Sequence, residues 1–215
     1  MSNSIRPPFK DILQSIPGVF GIRLEEEPAF RVLSTIGDVE IRHYAAALLA
    51  QVTVPGDHDH AVSEAFTTLA AYIFGKNASQ ESSHMTSPVF QEQRSESLSM
   101  TTPVLQNPTR NGWTVSFFLS NELTPETAPQ PEDAGIRLVM QPETIIGSLR
   151  YSGNNSEESR AKSKRSLLAA IAGDGSWRVV EDVSWAQYDQ PFAIPFLKRN
   201  EAHVALERLQ VEKRP

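Results

Sequence analysis

Five histidines, four methionines and no cysteine bound the chemistry open to this 215-residue chain. Without cysteine there is no disulfide, no thiolate metal ligand and no cysteine nucleophile, so a bound metal has to be held by His, Met, Tyr or carboxylate. The most ordered pattern around a histidine is Val39-Glu40-Ile41-Arg42-His43-Tyr44. Strand alternation puts Val39, Ile41 and His43 on one face and Glu40, Arg42 and Tyr44 on the other. A neutral imidazole on an apolar face can ligate a metal or a haem iron; it can equally be a half-buried side chain satisfied by one backbone hydrogen bond.

A second pattern is a doubled Met-Thr-x-Pro-Val element, at residues 85–89 and 100–104. Proline fixes φ and removes a backbone donor, which makes Pro88 and Pro103 markers of strand edges or bends. Met85 and Met100 bring polarisable thioethers suited to an adaptable apolar wall, core packing being their commoner use, and sulfur is also a soft iron ligand. The other histidines are plainer. His84 precedes Met85 among serines, His58 and His60 flank Asp59 without the i, i+4 spacing of a helical metal pair and read as solvated residues at a helix start, and His203 carries no pattern. Arg160, Lys162, Lys164 and Arg165 read either as a solvated helix face or as an anion site for propionates or phosphates.

Several function classes lose support. The chain has no Gly-x-Ser-x-Gly elbow, no Gly-rich phosphate loop and no His-Glu-x-x-His helix, and no spacing pairs Glu40, Glu64 or Glu143 for acid–base work. A net charge of −6 opposes nucleic-acid binding, which needs clustered cations. No run has membrane-spanning length and residues 1–10 lack the apolar stretch of a secretory signal, so cytoplasmic residence is the expectation.

The elements that must position these residues follow from periodicity. Residues 1–27 read as an extension, with helical spacing at Phe9, Ile12, Leu13 and Ile16 stopped by Pro17-Gly18. The domain proper, residues 28–215, opens with strands at 30–33, 39–44 and 48–54, and Gly37-Asp38 turns between the first two. Ala61, Val62, Ala65, Phe66, Leu69, Tyr72 and Ile73 then share one helical face, capped by Asp57 or Asp59 and ended by Gly75. Residues 76–100 suggest a hairpin with an exposed tip. Residues 113–119 form a strand and the proline-rich run at 125–131 a loop.

The chain then starts over, with strands at 136–140 and 143–151 and a helix at 157–172 ended by Gly173. The glycines before the two helices, Gly56 and Gly153, lie 97 residues apart, and those after them, Gly75 and Gly173, lie 98 apart. Two strand–strand–helix–strand–strand units would build an α+β domain: about eight antiparallel strands, closed or nearly closed into a distorted barrel, with two flanking helices. A groove between helix and sheet is a natural ligand site.

Taken together, Gly21-Ile22-Arg23, Glu26-Glu27-Pro28, Glu40-Ile41-Arg42-His43-Tyr44, Tyr72-Ile73-Phe74-Gly75-Lys76-Asn77, both Met-Thr-x-Pro-Val elements, Tyr188 with Pro191, and Lys198-Arg199-Asn200-Glu201 resemble the SOUL haem-binding protein family over residues 20–206. The resemblance implies a distorted antiparallel β-barrel of two similar ββαββ halves, akin to effector-binding domains. It also implies non-catalytic binding of haem or another tetrapyrrole at a hydrophobic groove, for haem buffering, transport or signalling, with His43 as axial ligand to the metal. A porphyrin needs an apolar face, an iron ligand and cations for its carboxylates. Ile41, Leu49, Met85 and Met100 are candidates for the first, His43 for the second and Arg42 for the third. The alternatives are a small-molecule-processing enzyme using a carboxylate such as Glu143, and an interaction module or homo-oligomer using the hairpin tip and the extension.

Overall fold

A computed structural model of the protein describes residues 27–78, 98, 102–189 and 198–209. The expected extension apart from Glu27, the hairpin tip with His84, Met85 and Pro88, and Met100 lie outside the described residues.

Among the described residues, twelve strands and two helices follow in chain order: β1 (Phe30–Ile36), β2 (Val39–Tyr44), β3 (Ala47–Pro55), α1 (His58–Ile73), β4 (Asn77–Ala78), β5 (Val104–Pro108), β6 (Gly112–Phe118), β7 (Gln130–Pro131), β8 (Arg137–Gln141), β9 (Thr144–Tyr151), α2 (Glu157–Asp174), β10 (Trp177–Val179), β11 (Ser184–Gln187) and β12 (Asn200–Arg208). Nine run side by side in the order β1-β2-β9-β12-β11-β5-β6-β3-β8, and β10 pairs with β12 beside that path. Every ladder is antiparallel.

This order carries the duplication read from the glycines. Exchanging β2 with β8, β9 with β3, β12 with β6 and β11 with β5 reverses the path onto itself, so a pseudo-twofold axis passes between β5 and β11. Each unit lends its leading strand to its mate: β2 pairs with β9 and β8 with β3. The barrel, by contrast, does not close among the described residues. β1 pairs only with β2 and β8 only with β3, because the two exchanged strands end up at opposite ends of the sheet and β1 extends one end further. The observed fold is α+β, a large open antiparallel sheet with two helices.

Both helices pack on one face of the sheet. Ala61, Ala65, Leu69, Tyr72 and Ile73 of α1 meet Leu48, Ala50, Val52 and Val54 of β3 and Val115 and Phe117 of β6. Leu167 and Ile171 of α2 meet Val39, Ile41, Val204, Leu206 and Trp185. Burying each such leucine, isoleucine or valine stabilises the fold by about 1.5–3 kcal/mol. Gly147 lets α2 approach, since a Cβ there would stand 3.1 Å from Leu206 Cδ1 and 3.2 Å from Ile171 Cδ1. Asp57 caps α1, its carboxylate accepting from the His60 amide at 3.1 Å, and the Ser156 hydroxyl oxygen accepts from the Ser159 amide at 3.3 Å at the start of α2. α2 does not stop at Gly173. It continues to Asp174 and is capped by Gly175 at φ 71°, where only the second glycine takes the left-handed conformation that ends a helix. Among the described residues no helix is long and apolar enough to cross a membrane.

Candidate functional site

Strand alternation divides the polar chemistry between the two faces of the sheet. On the face away from the helices, Arg42 of β2, Ser148 of β9 and Glu201 and His203 of β12 converge. Glu201 is fully buried and its carboxylate receives six contacts. Arg42 donates at 2.6 and 3.3 Å, Arg199 Nε at 2.9 Å, Ser148 at 3.1 Å, Tyr188 at 2.9 Å and His203 Nε2 at 2.9 Å. Arg42 also bonds Glu40 and Tyr44, while Arg199 reaches Glu27 and lies 3.8 Å above the Tyr188 ring. Burial alone would raise the Glu201 pKa. The hydrogen bonds and charges of His203 and Arg42 outweigh it and hold the carboxyl far below the usual range. The same pairing raises Arg42 against the opposing pull of burial, and burial, the largest cause, raises Tyr188 and Tyr44. With every member satisfied, this cluster is a structural core of ion pairs.

On the helix face, a groove of about 550 Å³ opens over the seam between β5 and β11, on the pseudo-twofold axis. One wall is the exposed side of α1 with Val62 and Phe66, the floor includes Val104, Gln106 and Gln187, and the far rim is Asn154, Asn155 and Ser156 at the approach to α2. Gln106 and Gln187 hydrogen-bond each other across the seam at 2.9 Å. The His58 ring bridges two acceptors, Nε2 lying 2.9 Å from Gln106 Oε1 and Nδ1 2.7 Å from the Asp59 carboxylate. Asn155 ties Gln106 to Tyr151, donating to the first at 3.0 Å and accepting from the second at 2.6 Å. Thr102 also lines the groove; its hydroxyl is buried and has no hydrogen-bond partner among the described residues. Among the described residues no three His, Asp or Glu side chains gather to hold a metal ion. The groove therefore offers apolar surface and hydrogen bonds as its chemistry.

The residues singled out by sequence fall in different places. His43 shares the face of Val39 and Ile41, as alternation requires, but it lies toward the sheet edge, with Nε2 2.7 Å from Glu143 Oε1 and about a quarter (26%) of its side chain exposed. Ile41 is fully buried beneath α2, and Leu49 is buried on the opposite face, next to Phe118 in register. Arg42 directs its guanidinium into the Glu201 cluster. None of these four lines the groove. His58, read from sequence as a solvated helix start, is the groove's histidine. Arg160, one of four cations on α2, turns inward onto His58. The available signal was Gly56-Asp57-His58 at the first unit's strand-to-helix turn, matched by Gly153-Asn154-Asn155-Ser156 in the second; both turns line one groove because the duplication faces them across the axis.

Residues 25–205 match the family described as SOUL heme-binding protein. The chain is 26% identical over 165 residues to heme-binding protein 2 of Mus musculus, an alignment covering 76% of this chain and 75% of that one, and the figures for heme-binding protein 2 of Homo sapiens are the same. Among solved structures, the EcmrR C-terminal domain superposes with a TM-score of 0.53 at 8% identity, covering 80% of this chain and 98% of that one. An uncharacterized conserved protein from Listeria innocua does so with a TM-score of 0.50 at 12% identity, covering 93% and 98%. At such identities these two likenesses speak for the fold alone. The matched span holds both the Glu201 cluster and the groove, and with it the chain belongs to the SOUL heme-binding protein family.

Proposed function

We propose that this protein binds haem or a related tetrapyrrole in the groove between α1 and the approach to α2, without catalysing a reaction on it, and so serves haem buffering, transport or signalling. The observation that carries the reading is the groove itself. Its volume of about 550 Å³ falls within the roughly 300–1,000 Å³ typical of small-molecule sites. Its make-up fits an amphipathic ring: an apolar wall of Val62, Phe66 and Val104, a polar end of His58, Gln106 and Asn155, and the unpartnered Thr102 hydroxyl. When bound, haem supplies a flat apolar face, an iron and two carboxylates. The chain's part is to cover the face, exclude water and orient the ring. Met100, two residues before Thr102 in the chain, is proposed as a further apolar contact, and Met85 with it.

A second reading keeps His43 as axial ligand, on the face it shares with Ile41 and apart from Leu49 and Arg42. What favours it is the partly exposed ring, about a quarter of which is open to solvent. A hemin titration followed at the Soret band separates the two. The groove reading predicts a saturable shift in the wild-type protein that His43→Ala leaves at the same midpoint; the edge reading predicts that the shift is lost in this variant. A wild-type spectrum identical to that of hemin on a non-specific carrier protein sinks haem binding in either position.

A further inference from the structure

Arg160 stands at a place where the two halves of the duplication differ. It is the fourth residue after the Ser156 cap of α2, as Ala61 is the fourth after the Asp57 cap of α1. Ala61 packs into the core under α1, whereas Arg160 carries a guanidinium into the same relative position with 7% of its surface exposed. None of its direct contacts among the described residues is a carboxylate. One terminal nitrogen donates to the Asn155 carbonyl and stands 3.1 and 3.2 Å from the two ring nitrogens of His58. Equal distances to both nitrogens put it over the imidazole face rather than on a lone pair. The guanidinium carbon lies 5.4 Å from the Trp113 ring and 6.0 Å from that of Trp185. Among the described residues its other N–H groups meet no acceptor and no ion pair is formed.

Asp59 and Glu157 attract it only from beyond ion-pair distance, and a buried cation with no anion in direct contact is costly and favours a closer one. The two carboxylates that line the groove are directed elsewhere, Asp59 to His58 Nδ1 and Asp189 to the Arg199 amide. Burial, the leading cause, lowers the Arg160 pKa and outweighs the opposing attraction of Tyr151, Asp59 and Glu157. The residues bonded to Arg160, His58 and Asn155, line the groove. So does Thr102, with its buried, unpartnered hydroxyl. The amino-terminal turns of both helices flank this end and add their dipoles to the same sign of field.

We infer that the groove is a carboxylate-recognising site, with the ligand's anionic group held at the end formed by Arg160, His58 and Asn155 and its apolar body on Val62, Phe66 and Val104. The inference rests on the groove being the ligand site proposed above, and it names what that site selects. The ligand class is an amphipathic carboxylate.

The test compares acids with their neutral esters on the full chain: hemin against hemin dimethyl ester, and dodecanoate against methyl dodecanoate, read by quenching or shift of tryptophan fluorescence. Wild-type protein is expected to bind each acid about ten- to a hundredfold more tightly than its ester, the usual worth of a charge-assisted hydrogen bond. In Arg160→Gln that preference falls to about twofold while ester affinity is unchanged, which also shows the groove intact; Arg160→Lys retains part of it. Equal affinity for acid and ester on the wild-type protein overturns the inference without calling on any variant. Dodecanoate binding with an Arg160-dependent preference, while hemin fails to bind, removes the tetrapyrrole reading and leaves this one standing. Hemin binding without an acid preference does the reverse, and binding of none of the four probes overturns both.

Discussion

Glu201→Gln is expected to lower the free energy of unfolding by about 3–5 kcal/mol, the usual effect of breaking a buried ion pair from one side. The substitution keeps the shape of the side chain and removes its charge, so Arg42 and Arg199 are left buried around an amide that can accept far less from them. Arg42 is buried and Glu201 fully so, and little solvent is available to compensate. The effect should appear in urea unfolding as a lower midpoint with an unchanged slope. Glu64→Gln is the control: its pairing with His60 at 3.8 Å is solvent-exposed, and the change should stay within about 0.5 kcal/mol. The same cluster sets the acid limit of the fold. Because the folded pKa of Glu201 is depressed, its contribution is fully present above the unfolded carboxyl value of about 4.3 and is lost as pH falls from there toward the folded value. Wild-type stability should therefore decline steeply below about pH 4.3, and Glu201→Gln should show a shallower decline from its lower plateau.

Val62→Asp is expected to weaken hemin binding by about a hundredfold or more, since a carboxylate in the apolar wall has to be desolvated without a partner when the porphyrin covers it. Val62 lies on α1, half-buried against the core and lining the groove, so the substitution acts at the wall more than beneath it. Ser63→Trp provides an independent arm. Ser63 is exposed and lines the same groove, and a bulky ring there fills ligand space at little cost to the helix. Urea unfolding of both variants separates loss of the site from loss of the fold. Retained hemin affinity in both would remove the groove from consideration.

Much of this architecture was legible because it is local. Alternation in residues 39–44 gave β2 its bounds and its two faces, and Asp57, one of the two candidate caps, is the residue that caps α1. The duplication was legible from the Gly56–Gly153 spacing because both glycines take positive φ at a strand-to-helix turn, whereas the Gly75–Gly173 match does not mark equivalent helix ends. What stayed hidden depends on residues distant in the chain. Arg42 reads as an available cation until Glu201, 159 residues on, is folded against it. His58 reads as solvated because Asp59 and His60 are, yet Gln106, 48 residues away, draws its ring into the groove wall. On α2 the buried stripe runs Arg160, Ser163, Leu167, Ile171; a cation and a hydroxyl occupy its first half, so hydrophobic periodicity alone points that half at solvent. Barrel closure failed as an expectation because sequence periodicity counts strands and does not say which of them are exchanged between the two units.

The most direct test of where the ligand sits is an amide proton–nitrogen correlation spectrum recorded with and without zinc protoporphyrin IX, a diamagnetic probe that leaves neighbouring signals visible. Binding in the groove predicts shifts concentrated at Val62, Phe66, Val104, Gln106, Asn155 and Ser156, with β1 and β2 unmoved. Shifts concentrated around His43 and its strand partner Arg31, with the groove residues unmoved, would contradict it.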